Sequence, residues 1–338
     1  MAGDATGNNS RILEFQRTES EMYVKLVPMQ WALENYPSEC TFESRYRLEG
    51  NTVEVWCRLN NTSTDKAQYA AREQEIPAVY VNAPWYRAMA YTGDEPFTGQ
   101  PVMEFPRRRA LPGQYPTTRA RATEHWVALL DSNARGIGIW NPEVSTCLVG
   151  TGGIFGRGGL GDSPSRYLAF TRREVLDHNI SYEYEYVIIV GNLTEIRDHV
   201  YRQRREPTYD FEFSETREGW WYENAVDTGW PVTGQLTVTP TVPGAALNSP
   251  PLTWDGKTVS AVEIDADFAV DGGIQVFWST LEEDRFHASR MVPVVVRPGR
   301  ERIRVPLTVD TMIVGLRIAS TNTPGQPVTV YSIRAVRS

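Results

Sequence analysis

The stretch that decides the fold begins at residue 220 with WWYENAVDTGW and extends to Trp278. Its aromatic residues stand in short runs separated by Gly, Pro, Asn and Asp, which is typical of short β-strands joined by turns. Indole and phenol rings fill the core of a β-sandwich, and they also offer a flat face to the C–H groups of a sugar. Two interpretations of the stretch are therefore open: a packed core or a carbohydrate platform.

The 338-residue chain is long enough for two domains, each with its own core. Hydrophobic residues make up 41% and charged residues 22%, the balance of a globular protein. The net charge of −8 argues against nucleic acid or an anionic membrane as a partner, because both attract a basic surface. No run approaches the ~20 apolar residues of a membrane span. Residues 1–20 lack the apolar segment of a signal peptide and are expected to form a flexible leader.

Residues 21–206 are predicted to form a first β domain. Its strand candidates alternate in polarity or are short apolar runs: Thr41–Leu48, Thr52–Leu59, Ile76–Val81, Tyr86–Tyr91, Trp126–Leu130, Gly136–Trp140, Tyr167–Phe170 and Ile180–Val190. In the last of these, alternation places Tyr182, Tyr184 and Tyr186 on one face.

A single helix is predicted after these strands. Asn192 is a good N-cap, and Glu195 follows three positions later as in a capping box. Ile196 and Val200 form an i,i+4 apolar pair, and Pro207 ends the helix. The boundary between the domains is therefore expected at about residue 206.

Residues 207–338 are predicted to form a second β domain. Its strand candidates are separated by turn residues: Phe211–Phe213, Gly234–Val238, Ala261–Phe268, Ile274–Ser279, Glu301–Pro306, Met312–Ala319 and Val328–Val336. This spacing is typical of a sandwich or jelly roll. The predicted fold is thus all-β, with two antiparallel β-sandwich domains and one short helix at their junction.

The three cysteines show neither a disulfide framework nor a zinc spacing; they are Cys40, Cys57 and Cys147. A hairpin that turns near Gly50 would place Cys40 opposite Asn60 and Cys57 opposite Glu43. Because the two thiols then miss each other, the cysteines are predicted to be free.

The second domain resembles a known class of module. Its segments YDFEFSETREGW (209–220), AVEIDADFAV (261–270), GGIQVFWST (272–280) and VTVYSIRAV (328–336) are similar to the jelly-roll carbohydrate-binding modules of bacterial carbohydrate-active enzymes. This resemblance covers essentially all of 207–338. It implies a polysaccharide or oligosaccharide as the partner.

The first domain also resembles proteins of that setting. Its segments QEIPAVYVNAPWYRAMAYTGDEPF (74–97), EHWVALLDSNARGIGIWNP (124–142) and DHNISYEYEYVIIVG (177–191) are similar to uncharacterised bacterial polysaccharide-utilisation proteins with a galactose-mutarotase-like supersandwich. A full supersandwich usually needs more chain than residues 20–205 supply, so two expectations are open: an absent N-terminal part or a simpler sandwich. The resemblance implies a secreted or periplasmic protein, with the cytoplasm as the alternative location.

Paired carboxylates are the first candidates for chemistry. In an extended segment, Glu73 and Glu75 lie on one face with Cα atoms about 7 Å apart, and glycosidases use two carboxyl groups separated by about 5–9.5 Å. Glu124 and His125, beside Trp126, are a second candidate acid/base group, and Asp177 with His178 is a third. Each has a structural alternative: solvated glutamates, a histidine bonded to backbone, and a turn aspartate.

Nucleotide and metal motifs are weak in this sequence. The glycine-rich loop Gly150–Gly161 contains the spacing Gly156-x-Gly158-x-x-Gly161, but no helix pattern follows it, so nucleotide binding is rejected. The loop is either a flap over a cleft or an irregular connection. No cofactor is predicted apart from structural calcium at a sandwich rim, for which Glu212, Asp265 and Asp267 are the candidate ligands.

The aromatic candidates for sugar contact are Trp85, Trp126, Trp220, Trp221, Tyr222 and Trp230. Because Trp220 and Trp221 are adjacent, one faces inward and the other outward if they lie in a strand. Trp278 shares a face with Ile274 and Val276 and is assigned to the core.

Three functions are consistent with the sequence. The first is a glycoside hydrolase that uses Glu75 and Glu124, which predicts Glu75 in a concave pocket with a raised pKa. The second is a non-catalytic glycan-binding protein, which predicts exposed rings in the 220–230 segment. The third is a structural surface-assembly protein. The oligomeric state is left open.

Overall fold

The computed structural model describes residues 3–82, 84–107, 116–151, 166–320 and 324–337. The chain divides into two compact units. Unit 1 comprises residues 1–65, 75–171 and 179–205, and unit 2 comprises 66–74, 172–178 and 206–338. The two short segments of unit 2 come from the part of the sequence expected to belong to the first domain. Their inclusion has a physical reason, since Ala71 and Val175 are buried in the apolar core of unit 2.

Unit 1 is built from strands and one α-helix. Its elements are β1 (Arg11–Arg17), β2 (Glu21–Val27), β3 (Cys40–Glu49), β4 (Thr52–Asn61), β5 (Arg72–Val81), β6 (Arg87–Ala90), β7 (Met103–Glu104), β8 (Thr117–Arg121), β9 (Trp126–Leu130), β10 (Arg135–Trp140), β11 (Thr146–Thr151), β12 (Arg166–Glu174), β13 (Ser181–Asn192) and α1 (Leu193–Gln203). In the described residues they form a nine-stranded sheet, in the order β1-β2-β3-β4-β13-β10-β9-β6-β7, and a four-stranded sheet, in the order β5-β12-β11-β8.

The main core of unit 1 contains apolar residues of both sheets. Val127, Leu129 and Ile139 come from the nine-stranded sheet, and Val149 and Leu168 come from the four-stranded one. The rings of Tyr182, Tyr184 and Tyr186 pack against this core with successive centroids 6.2 and 6.4 Å apart. The predicted common face of these tyrosines is confirmed. The supersandwich assignment of this unit stays a prediction.

The β3–β4 hairpin differs from the predicted register by one residue. Cys40 faces Asn61 and Cys57 faces Ser44, because Glu49 pairs with Thr52 across a two-residue turn. The cysteines are free, as predicted.

The leader expected over residues 1–20 contains a strand instead. Residues 11–17 form β1, which pairs antiparallel with β2 at the edge of the nine-stranded sheet. Pairing satisfies backbone groups that a flexible leader would leave to water. The composition of residues 1–20 does not reveal that β2 will pair with them. The prediction of a flexible leader is therefore wrong for residues 11–17.

The predicted helix is confirmed together with its cap. Asn192 Oδ1 accepts a hydrogen bond from the Glu195 backbone amide at 3.0 Å, and the Glu195 carboxylate accepts one from the Asn192 amide at 2.7 Å. Ile196 and Val200 are buried. Ile196 packs so closely on Gly138 that a Cβ at this glycine would lie 2.3 Å from its side chain.

Unit 2 contains two further sheets. Its strands are β14 (Asp210–Phe211), β15 (Trp221–Glu223), β16 (Ala225–Asp227), β17 (Leu236–Pro240), β18 (Ala246–Asn248), β19 (Trp254–Asp255), β20 (Val259–Phe268), β21 (Gly272–Thr280), β22 (Met291–Val296), β23 (Gly299–Pro306), β24 (Met312–Ser320) and β25 (Val328–Arg337), with a 3₁₀ turn at Ala288–Arg290. In the described residues one six-stranded sheet has the order β16-β17-β25-β20-β23 with β14 beside β25, and the other has β15-β18-β24-β21-β22 with β19 beside β24.

The core of unit 2 combines apolar side chains of both its sheets. Val262, Ile264 and Ile333 come from the first sheet, and Val276 and Leu316 come from the second. With two sandwich units and one α-helix in the described residues, the predicted all-β class is confirmed. Within those residues, no helix is both long and apolar enough to cross a membrane.

Candidate functional site

Glu124, a predicted acid/base group, is completely buried in unit 1. Its carboxylate accepts five hydrogen bonds: from Arg197 Nε at 3.0 Å and Nη2 at 2.8 Å, Tyr201 Oη at 2.6 Å, Trp126 Nε1 at 2.9 Å and the Phe97 amide at 2.9 Å. Burial alone would raise the pKa of Glu124, but the bonds from Arg197, Tyr201 and Trp126 outweigh burial and lower it. A carboxylate held as an anion in this way is suited to structure rather than to proton donation.

His125 is bonded to the backbone, which is the structural alternative that the sequence left open for it. Its φ of 64° turns the chain between the residues that flank it, and its Nδ1 lies 3.0 Å from the Pro142 carbonyl oxygen. Burial lowers the pKa of His125 to about 4, although the contacts with Pro142 and Asn141 oppose that shift. The imidazole is therefore neutral at physiological pH and already bonded to the main chain.

Glu73 and Glu75 both lie on β5 with exposed side chains. The Tyr167 hydroxyl donates a hydrogen bond to Glu75 Oε1. Enzymes raise the pKa of a catalytic carboxyl by burying it, and an exposed position lacks that means of tuning. The exposure of Glu75 does not supply the concave pocket that the hydrolase hypothesis expects.

Asp177 belongs to a buried ion-pair network inside unit 2. Its Oδ2 lies 3.1 Å from Arg217 Nη2 and accepts a hydrogen bond from Gln68 Nε2 at 2.9 Å. Arg217 Nε also contacts Asp227 Oδ2 at 2.6 Å. His178 is only half-buried beside it. The network indicates that Asp177 fixes the chain rather than serving a reacting ligand.

The acidic residues proposed for calcium are arranged differently from a metal site. Asp265 accepts hydrogen bonds from Arg300 at 2.7 and 3.0 Å and from Arg302 at 3.4 Å, and the bonds from Arg300 lower its pKa. Arginine thus occupies the oxygens of Asp265, one of the three acids that the prediction assigned to calcium. Asp267 lies on the same strand and Glu212 follows β14 at an exposed position. No group of three potential metal ligands forms among the described residues.

Half of the predicted sugar-binding aromatics are core residues. Trp126 and Trp220 are completely buried and Tyr222 is 2% exposed, so none of the three can stack on a sugar. Trp220, for example, meets the edges of Phe211 and Phe213. These assignments are corrected. Tyr222 points inward by alternation from Trp221, Trp220 packs in the core just before that strand, and Trp126 lies on a strand that is buried on both faces, where it packs with Ile196 and Val200 of α1. Trp278 is in the core, as predicted.

The other three rings differ in exposure. Trp85 is 38% exposed in unit 1. Trp221 and Trp230 are both partly exposed, and both pack against the core of unit 2. The outward direction of Trp221 next to the buried Trp220 agrees with the alternation expected from their adjacency. The glycine-rich segment 152–161 lies outside the described residues.

Trp221 lies in a row of side chains that crosses the outer face of the β15-β18-β24-β21-β22 sheet. The register places Trp221 opposite Asn248, Asn248 opposite Arg317, and Arg317 opposite Phe277. We call this row, together with Glu223 and Gln275 beside it, the Trp221 face. Because neighbouring strands are about 4.8 Å apart, the two rings at its ends are about 14 Å apart.

Polar contacts hold the centre of the Trp221 face in place. Arg317 Nη1 donates to Glu223 Oε2 at 2.7 Å and to Asn248 Oδ1 at 3.3 Å. The guanidinium of Arg173 lies over the Trp221 ring, 4.8 Å from its centroid. Asn248 is only 2% exposed, so it supports Arg317 from beneath rather than facing solvent. The face therefore presents two partly exposed rings together with the oriented Arg317–Glu223 pair, all carried by unit 2.

The sequence contained a signal for part of this face. If Ile274, Val276 and Trp278 face inward, Gln275 and Phe277 must face outward, because side chains alternate along a strand. The partners Asn248 and Arg317 had no such signal, since only strand pairing brings them beside Trp221.

No family model matches the sequence, and no curated protein matches it. Solved structures with similarity include a carbohydrate-binding module of family 29, at 10% identity over 39% of this chain and 90% of that chain, with a TM-score of 0.29. They also include the low-affinity xylan-binding module CBM86 of Roseburia intestinalis, at 14% identity over 40% of this chain and 97% of that chain, with a TM-score of 0.28. At this similarity the ligands of these neighbours establish nothing for this chain, whose function has to be inferred from its own side chains.

Proposed function

We propose that the chain binds glycans without cleaving them, and that unit 2 contacts the glycan through the Trp221 face. The observation that carries this proposal is the row Trp221, Asn248, Arg317 and Phe277 across four neighbouring strands. Aromatic rings pack against the C–H face of a sugar, while its hydroxyl groups need donors and acceptors at the side. The two rings of the row supply the first kind of contact, and the partly exposed Arg317–Glu223 pair supplies the second, on a rigid sheet.

The length of the face indicates the size of the ligand. The strands that carry its two rings are about 14 Å apart, and the Arg317 guanidinium lies between them. A single sugar is too short to reach both rings, so the ligand is a chain of several sugars lying across the strands. The Arg317–Glu223 contact orients one donor group before the ligand arrives, which reduces the entropy lost on binding.

Binding fits the structure better than hydrolysis does. A glycosidase needs one carboxyl as an acid and a second as a nucleophile or base. Glu124 accepts five hydrogen bonds and has a lowered pKa, and Asp177 is paired with Arg217. Of the predicted carboxylates only Glu73 and Glu75 are left for chemistry, and both are exposed.

Truncation of either ring is expected to weaken glycan binding at this face. Trp221→Ala and Phe277→Ala should each lower the affinity for a soluble polysaccharide about tenfold or more, the usual cost of removing an aromatic anchor. Affinity electrophoresis with β-glucan, xylan and mannan provides the measurement. Trp31→Ala is the matched control, because this indole is 56% exposed but lies in unit 1.

Two results would contradict the proposal. One is unchanged affinity in both ring variants with binding by the wild type. The other is release of reducing ends by the wild type that Glu75→Gln abolishes, since that would make the protein a hydrolase.

Removal of Arg173 is expected to strengthen binding slightly. A sugar can stack on the covered face of Trp221 only by displacing the Arg173 guanidinium, whose exposed cation–π contact is worth about 0.5–1 kcal/mol. Arg173→Ala should therefore raise the affinity about two- to fivefold, whereas Arg173→Lys keeps a cation and should change little. Isothermal titration calorimetry distinguishes these outcomes. A weaker complex in Arg173→Ala would mean that this arginine contacts the ligand itself.

A further inference from the structure

Unit 1 carries a concave surface that does not include the carboxylates considered above. It is a groove of about 800 Å³ formed by the first four strands of the chain. Its lining includes Tyr23, Arg45 and Trp56, together with Arg58 and Glu43. This volume is within the range of about 300–1,000 Å³ that is typical of ligand sites. We call it the Trp56 groove.

The register of the nine-stranded sheet explains how these side chains meet. Tyr23 on β2 faces Arg45 on β3, and Arg45 faces Trp56 on β4. The two rings are therefore on the same side of the sheet and two strands apart, about 10 Å. The Arg45 guanidinium lies between them, 5.9 Å from the Tyr23 ring centroid and 6.0 Å from that of Trp56. The Trp221 face of unit 2 likewise has a guanidinium between two rings, although its rings are three strands apart rather than two.

Both rings are held in fixed positions. Trp56 Nε1 donates to Glu183 Oε2 at 2.8 Å, and Arg58, which lies 4.7 Å from the Trp56 ring centroid, donates to the same carboxylate at 2.7 Å. The Tyr23 hydroxyl donates to Glu43 at 2.9 Å. Burial and this bond raise the pKa of Tyr23 to about 12, so it stays a neutral hydrogen-bonding group. These hydrogen bonds fix the orientation of both rings, as a binding site requires. A surface that is merely exposed to water has no need of such fixed rings.

The charges of the groove balance. Three arginines line it, Arg17, Arg45 and Arg58, together with three glutamates, Glu14, Glu21 and Glu43. Such a lining gives no net attraction to an anionic or cationic polymer. It does present alternating donors and acceptors, which suit the hydroxyl groups of an uncharged sugar.

We propose that the Trp56 groove is a second glycan-binding site, specific for neutral oligosaccharides and independent of the Trp221 face. The proposal rests on the proposed function for the class of ligand, but its residues belong entirely to unit 1. The rings stack on two sugars of one chain, and Arg45 donates to the hydroxyl groups between them. The protein then has one glycan site in each unit.

Calorimetric titration of the full-length chain with neutral gluco-, xylo- and manno-oligosaccharides tests this proposal. The wild type should bind two equivalents of a ligand that fits both sites. Trp56→Ala and Trp221→Ala should each remove one equivalent, and the double variant should bind none. Glu54→Gln is the matched control, because Glu54 is an exposed residue on the same strand and face as Trp56 but outside the groove lining.

Two further variants separate loss of the site from loss of the fold. Trp56→Phe keeps an aromatic face without the indole N–H and should retain the second equivalent with weaker affinity. Tyr23→Phe keeps the ring and should also retain it. Thermal unfolding of Trp56→Ala that matches that of Glu54→Gln shows that unit 1 is intact.

Each outcome separates the two proposals. One equivalent in the wild type that Trp221→Ala abolishes and Trp56→Ala leaves unchanged overturns the second site and leaves the Trp221 face intact. One equivalent that only Trp56→Ala abolishes supports the groove and overturns the Trp221 face. Binding restricted to acidic polysaccharides and weakened by salt overturns the neutral class of ligand.

Discussion

Replacement of Glu124 by alanine should destabilise unit 1 by about 3–5 kcal/mol, the usual cost of leaving one partner of a buried ion pair uncompensated. The partner is Arg197, which contacts the Glu124 carboxylate through Nε at 3.0 Å and Nη2 at 2.8 Å. The same change removes the acceptor for the Trp126 indole and the Tyr201 hydroxyl. Buried donors without an acceptor add to the penalty.

Hydrogen–deuterium exchange resolved by peptide measures this effect in the full-length chain, because it reports each unit separately. Protection should fall in β9 and α1 of unit 1 while unit 2 keeps its protection. Asp198→Ala is the control, since Asp198 is exposed on the same helix. Near-normal protection in Glu124→Ala would mean that the carboxylate contributes little to the fold.

The same residue gives unit 1 a defined acid sensitivity. The pKa of Glu124 is lower in the folded chain than in the unfolded chain. Its stabilising contribution is therefore complete above the unfolded value of about 4.3 and is lost as the pH falls through the folded value. In Glu124→Gln, which cannot titrate there, the unfolding free energy of unit 1 should decline less steeply with acid than in the wild type. An unchanged slope would contradict the lowered pKa.

Replacement of Arg217 by methionine should have a comparable effect on unit 2, about 3–5 kcal/mol. Arg217 is 4% exposed and joins Asp227, at 2.6 Å, to Asp177, at 3.1 Å. Burial by itself would lower the pKa of Arg217, but the bonds with Asp227 raise it, so the arginine is firmly charged. Its loss leaves two carboxylates without their cation in an interior position.

The network also explains why separate parts of the chain belong to unit 2. Asp177 lies in the segment 172–178 and Gln68 in the segment 66–74, and Gln68 donates to both Asp177 and Asp227. Arg217→Met should therefore increase exchange first in these two segments. Limited proteolysis should cut them earlier than in the wild type.

A surface arginine of the same unit is the matched control. Arg334→Ala removes a contact of 3.7 Å with Glu263 at a partly exposed position, and such pairs contribute about 0–1 kcal/mol. A double-mutant cycle with Arg217 and Asp227 isolates the pair energy. Equal effects of Arg217→Met and Arg334→Ala would show that the buried network does not hold the segments.

Features that depend on near neighbours were predictable from the sequence. The cap of α1 needs only Asn192 and Glu195, three positions apart, and both reciprocal hydrogen bonds are present. The common face of Tyr182 and Tyr184 follows from the period of a strand. The assignment of Trp278 to the core follows from the apolar residues two and four positions before it.

Features that depend on distant partners were not predictable. Residues 11–17 are a strand only because β2 pairs with them. The register of β3 and β4 differs by one residue from the predicted register, because the turn between Glu49 and Thr52 has two residues. Glu124 seemed a candidate acid because its sequence neighbours are His125 and Trp126, whereas its main partner, Arg197, is 73 positions away.

The WWYENAVDTGW segment separates what the local sequence determines from what the tertiary structure determines. By itself the sequence determined an all-β chain, and alternation determined that Trp220 and Trp221 face opposite ways, because side-chain direction is set by the local backbone. Only the tertiary structure decided that Trp220 is buried. It also decided that Arg317 lies near Trp221, where it donates to Glu223, a residue 94 positions earlier in the chain. A binding face joins side chains of several strands, and their pairing depends on the packing of the whole sandwich rather than on any one segment.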